Sequence, residues 1–87
     1  MISLEGFIDI HIHTAPDIRE RKLDDLQIAQ LSAKEKMRAI VLKSHITLTA
    51  DRAAIANKVV EGIQIFGSLV LNDHVGGLNP LAVDSAI

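Results

Sequence analysis

Two stretches of this chain, Ala39-Ile40-Val41-Leu42 and the run from Ile63 to Leu71, are apolar almost without a break. Half-exposed antiparallel strands alternate apolar and polar residues, whereas strands covered on both faces of a parallel sheet read as continuous apolar runs. Helical patterns separate the two runs from each other and from an earlier strand candidate. A β-α-β-α-β order of this kind calls for parallel pairing. The expected fold class is α/β, with three β-α units and parallel strands.

The first connecting helix is predicted to start at Asp24 or Asp25, either of which can cap it and suit the positive end of its dipole. Leu26, Ala29, Ala33 and Met37 recur at helical spacing, and Ile28 and Leu31 widen the stripe. Lys34, Lys36 and Arg38 crowd the last turn, where cations are favoured, and no glycine stops the helix. The second helix is expected to take Thr49 as N-cap and Asp51 in its first turn, to end at Gly62, and to pack through Ile55, Ala56, Val59 and Val60. Asn79-Pro80 opens a third helix, with Asn at the N-cap and Pro at N1. Its Leu81, Val83 and Ile87 need something to pack on.

The first strand candidate, Gly6 to Thr14, alternates strictly. An extended conformation puts Asp9, His11 and His13 on one face and Ile8, Ile10 and Ile12 on the other. Two same-face histidines lie about 6.6 Å apart along a strand. Their rings can converge on one ion at Zn–N distances of about 2.0–2.1 Å. Imidazole suits zinc, iron, nickel and copper, so the pair does not select the metal. An edge strand of an antiparallel sheet would also show a polar face, with the histidines simply in water. Asp9, one pleat deeper, is a candidate to orient a ligating imidazole by a hydrogen bond, or to make a structural hydrogen bond in the sheet.

Lys43 and His45 share a face by the period of two. His45 is a candidate third ligand or substrate contact, with a polar strand end bonded to a loop as the alternative. Lys43 is a candidate to hold an anionic substrate group, or a solvated or ion-paired lysine. Asp17 and Arg19 lie where a loop reaches the mouth of such a site, and Arg52 could bind a carboxylate or phosphate. Charges in these positions are more often solvated. Arg19-Glu20-Arg21-Lys22 is a mixed run that reads as a solvated loop. Asp73 and His74 read as loop surface, and Gly76-Gly77 as a turn or a place where amides approach an anion.

Eighty-seven residues bound the chain to one small domain. With no Trp or Tyr, its core must come from Ile, Leu, Val and Ala. A net charge of -2 gives no electrostatic footprint for nucleic acid or an anionic membrane. No apolar stretch reaches the length of a membrane span. The lack of cysteine excludes disulfides, thiolate metal sites and thiol nucleophiles. Residues 1–5 lack the basic and apolar regions of a secretory signal, and the expectation is a soluble cytoplasmic protein.

Gly6-Phe7-Ile8-Asp9-Ile10-His11-Ile12-His13 resembles the first-strand signature of the amidohydrolase superfamily, an apolar segment ending in Asp-x-His-x-His. Together with His13-Thr14-Ala15-Pro16-Asp17, the block from Arg38 to His45, and Gly76-Gly77-Leu78-Asn79-Pro80, it resembles a group of amidohydrolase-like proteins known only as a domain of unknown function. The similarity spans nearly the whole chain, as the N-terminal part of such a protein. It implies the start of a TIM-like (β/α)8 barrel, whose active-site residues lie at the C-terminal ends of the strands, where His11, His13, Lys43, His45 and Asn72 fall. It further implies that His11 and His13 ligate a divalent metal, zinc first among the candidates. Metal-activated water would then hydrolyse a C–N or C–O bond of a small-molecule substrate.

A full barrel takes about 250 residues, so residues 1–87 read as a single partial domain. The superfamily's later histidines and its aspartate base are absent, and the chain alone is expected to be inactive or very feeble. It departs from the pattern at Glu35-Lys36-Met37, where a glycine is expected before Met37. A histidine ending the second strand also occurs in the polymerase-and-histidinol-phosphatase family, which makes a phosphoesterase the alternative. A non-catalytic α/β module is the other. Three parallel strands with open edges and uncovered faces are expected to associate with another copy or with a complementing segment.

Overall fold

A computed structural model describes residues 3–17 and 21–87. The chain runs β1 (Ile8–His13), α1 (Asp25–Lys34), β2 (Ala39–Lys43), α2 (Ala50–Val59), β3 (Gln64–Phe66), a 3-10 turn at Asp73–Val75 and α3 (Pro80–Ala86). The strands form one parallel sheet in the order β1-β2-β3. Ile40 and Leu42 of β2, Ile65 of β3, Ala29 of α1, and Ala53 and Ala56 of α2 meet in one buried cluster, so both helices cover the same face. Successive crossovers of the same hand, each to the next parallel strand, place helices this way. Val41 and Phe66, out of phase with that cluster, point to the other face, where Phe66 is half exposed. Among the described residues no helix is long and apolar enough to cross a membrane.

Of the two aspartates at the start of α1, Asp24 is the cap. Its carboxylate accepts from Gln27 N at 2.8 Å while Gln27 Oε1 accepts from Asp24 N at 3.0 Å, a capping box. The helix ends sooner than the basic residues imply, because Lys36 takes the left-handed conformation at φ 59°. Lys36 N donates to Ala33 O and Met37 N to Ser32 O, each at 3.0 Å, completing a Schellman cap. A lysine therefore stands where glycine is conformationally favoured. Lys36→Gly is expected to raise stability by about 1 kcal/mol, since a Cβ makes this backbone region costly. Urea unfolding checks it, and an unchanged or lower midpoint would contradict it.

The second helix lies rotated from the expected face. Ala56 and Val60 are buried as expected, but Ile55 and Val59 are exposed and Ala53 is buried in their place. Asn57 accounts for the rotation. Its Nδ2 donates to Ile65 O at 2.7 Å and its Oδ1 accepts from Ile65 N at 3.0 Å, taking the outer-edge positions of β3 at that residue. Thr49 stands at the N-cap position but does not cap. Its hydroxyl donates to Leu42 O at 2.8 Å and accepts from Ser68 N at 2.7 Å.

That bond explains why β3 stops at Phe66 rather than continuing to Leu71. A Cβ on Gly67 would sit 2.4 Å from Ala50 Cα, so only glycine lets the chain turn onto the start of α2. Thr49 then takes the place of a ladder partner. In β1 the alternation is interrupted as well. Asp9 pairs with Ile40 and Ile12 with Leu42, three residues against two, so the strand carries an extra residue. Ile40 and Leu42 share a face, which places Asp9 with Ile12 on the helix side and not with His13. α3 has its Asn79 cap and Pro80 at its start, and contributes no buried residue.

Candidate metal centre

The C-terminal ends of β1 and β2 set the site. His13 pairs in register with Lys43, and the next residue of each strand, Thr14 and Ser44, is buried. From Thr14 the chain passes a cis Ala15-Pro16 bond to Asp17. Arg52, projecting from α2, clamps this loop. Its Nε and Nη2 donate to the two carboxylate oxygens of Asp25 at 2.7 and 2.9 Å, Nη1 to Pro16 O at 3.0 Å and Nη2 to Ala15 O at 3.1 Å. The Thr14 hydroxyl also donates to Asp25. Arg52 thus positions the loop instead of reaching out to a ligand.

The clamped loop directs Asp17 inward, and its side chain is fully buried. Oδ1 accepts from His45 N at 2.8 Å and from the Ser44 hydroxyl at 3.4 Å. Oδ2 lies 3.1 Å from His45 Nδ1 and 3.8 Å from His13 Nδ1. The rings of His13 and His45 stack at 4.7 Å with planes 15° apart. Ligand atoms of His13, Asp17 and His45 all lie within 4.8 Å of one another, which makes the group one that could hold a metal ion. Two donors on a tetrahedral zinc with bonds of about 2.0–2.1 Å are separated by about 3.3 Å. The two Nδ1–Oδ2 separations bracket that value.

His45 Nδ1 meets two neighbours of opposite character. Its Nδ1 lies 3.1 Å from Asp17 Oδ2 and 3.0 Å from Arg21 Nη2. A protonated Nδ1 can donate to Asp17 but cannot accept from Arg21, and a bare Nδ1 turns a lone pair toward the carboxylate. With Nδ1 protonated, His45 and Arg21 both donate to Asp17 Oδ2, which satisfies all three groups. At His13 the pKa is lowered from the usual 6.5, first by burial and then by the charges of Arg21, His45, Lys43 and His11. The imidazole is thereby held in the neutral form that binds metals.

His11 is exposed, its ring edge-on to His13 at 5.2 Å and outside the three-residue group. Asp9 spends a carboxylate oxygen on the backbone N–H of His11 at 2.9 Å and reaches no imidazole by that bond. Lys43 lies beside His13 in the sheet register. Arg19 falls outside the described residues, and Asp73 and His74 are exposed on the 3-10 turn. The amides of Gly76 and Gly77 donate to Asp73 O and Asn72 O, so they are spent on the turn. Asn72 donates to His45 O, and its own Oδ1 is buried with no hydrogen-bond partner among the described residues.

Arg21, read from the sequence as part of a solvated loop, lies in the site, and so does Asp17, for which a place at the mouth of the site was the less expected alternative. The available signal was Pro16-Asp17 directly after a strand that ends in histidine. A family model described as a family of unknown function (DUF6282) matches residues 6–87. No curated protein and no solved structure matches the chain.

Proposed function

The chain belongs to the family matched over residues 6–87, and from its site geometry we propose that it carries part of the metal centre of a metal-dependent hydrolase. The observation that carries this reading is the convergence of His13, Asp17 and His45 at strand ends. Two imidazole nitrogens and one carboxylate oxygen are a donor set suited to zinc. A cation among them would be attracted by the carboxylate and by the lone pairs of the neutral imidazoles. A bound zinc supplies a water of lowered pKa and polarises the scissile bond. The chain's own residues do the rest: Asp17 and the two histidines hold the ion, and Lys43 faces an anionic group of a small-molecule substrate. The reaction is hydrolysis of a C–N or C–O bond, as in the amidohydrolase superfamily.

Sequential parallel strands with both helices on one face support placement as the opening units of a (β/α)8 barrel, with the site at its C-terminal mouth. On this reading the half-exposed Phe66 faces the barrel interior, where a complementing segment or another copy covers it. Further strands would supply the remaining ligands and the base, and residues 1–87 alone turn over feebly or not at all. The position of His45 against His13 and Asp17 favours a second reading, a phosphoesterase like the polymerase-and-histidinol-phosphatase family.

Titration with cobalt(II), followed by its visible absorption, tests the metal centre. One equivalent with the strong bands of a four- or five-coordinate ion is expected. Bands no stronger than those of hydrated cobalt would contradict the proposal.

A further inference from the structure

We propose that Arg21 is the resident counter-cation of the cluster, and that a divalent ion enters only by displacing its guanidinium. This rests on the metal-centre reading above. A single atom, Arg21 Nη2, contacts each of the three groups that would hold the ion. It lies 2.9 Å from Asp17 Oδ2, 3.0 Å from His45 Nδ1 and 3.5 Å from His13 Nδ1. Arg21 Nε donates to the same Asp17 oxygen at 3.0 Å. The guanidinium therefore sits at the focus of the donors, where the ion would go.

Both cations cannot share that place. Asp17 brings one negative charge, and the two imidazoles bring none in their neutral form. A divalent ion beside a guanidinium would leave the cluster with two surplus positive charges. Arginine cannot relieve this by losing a proton, as a lysine or histidine can. It must leave, and its side chain, 19% exposed at the rim, has water to leave into. The same contact explains how a buried aspartate beside two stacked histidines is tolerated before an ion arrives: Arg21 supplies the positive charge that buried Asp17 requires. Metal affinity is thus set by an exchange, with the guanidinium as the built-in competitor.

The test measures zinc affinity by competition with a chromophoric chelator, for the unaltered chain and for Arg21→Met, which keeps an unbranched apolar stem and removes the charge. Arg21→Met is expected to bind zinc at least tenfold more tightly. In the unaltered chain, one equivalent of zinc is expected to move the Arg21 Nε–H resonance to the position and fast exchange of a solvated arginine. That second measurement needs no folded variant. Equal or weaker affinity in a folded Arg21→Met, or an Arg21 resonance unmoved by bound zinc, would overturn the exchange and leave the metal centre standing. Failure of both proteins to take up zinc would overturn the exchange together with the centre.

Discussion

Replacing Arg52 with alanine is expected to destabilise the chain by about 3 kcal/mol, within the range for breaking a mostly buried ion pair. The Arg52 and Asp25 side chains are 17% and 14% exposed, so water replaces the lost bonds poorly. The substitution also strips donors from the carbonyl oxygens of Thr14, Ala15 and Pro16. Domains of this kind hold only about 5–15 kcal/mol in all, so the loss is a large share. Arg52→Lys keeps the charge but not the two-pronged geometry, and it should recover less than half of the loss. Urea unfolding with an unchanged m-value reads both variants. A loss below about 1 kcal/mol for Arg52→Ala, the level of an exposed ion pair, would show that the clamp does not hold the loop.

Removing the His13 imidazole, as His13→Ala, is expected to weaken zinc binding at least 100-fold, because one of the three donors of the cluster disappears. The pH dependence follows from the same residue. With its pKa below 6.5, His13 is neutral at pH values where an ordinary histidine already competes as an acid. The contribution of His13 to zinc affinity should therefore be lost only below pH 6.5, as it takes up its proton. In the metal-free chain the sign for stability is the same. Between the lowered pKa and 6.5 the unfolded chain binds more protons at this position, so acidification through that window costs stability. His13→Ala should flatten that part of the stability profile. An isotherm measured at pH 5.5 as tight as that at pH 7.5 would contradict the role given to His13.

The elements most legible in the sequence were those written in local patterns. The β2 run, a helix start at Asp24 or Asp25 and the Asn79-Pro80 start each depend on neighbours within a turn. The errors came from contacts far apart in sequence. Asn57 on Ile65 rotates α2, and Gly67 against Ala50 shortens β3. Neither is visible in a hydrophobic period. The extra residue in β1 is similar, since alternation is read from one strand but pleat phase depends on its partner. It separates Asp9 from the histidines it seemed to accompany.

The same division applies to the site. His11 and His13 stood out as same-face histidines of one strand and His45 by its place at the end of the next, and His13 and His45 are the two that join the three-residue group. Arg21 looked like an ordinary loop charge and Asp17 like one able to reach the site but more often solvated, and their burial depends on His45, 28 residues beyond Asp17, and on the grip of Arg52. Charge type in a loop carries no record of what folds against it.

Diffraction from crystals grown with zinc, with data collected on both sides of the zinc absorption edge, locates the ion without reference to activity. The proposed centre predicts one anomalous peak bonded at about 2.0–2.2 Å to side-chain donors of His13, Asp17 and His45, with the Arg21 guanidinium withdrawn. A zinc-saturated crystal with no peak there, and with Arg21 still paired to Asp17, would contradict it.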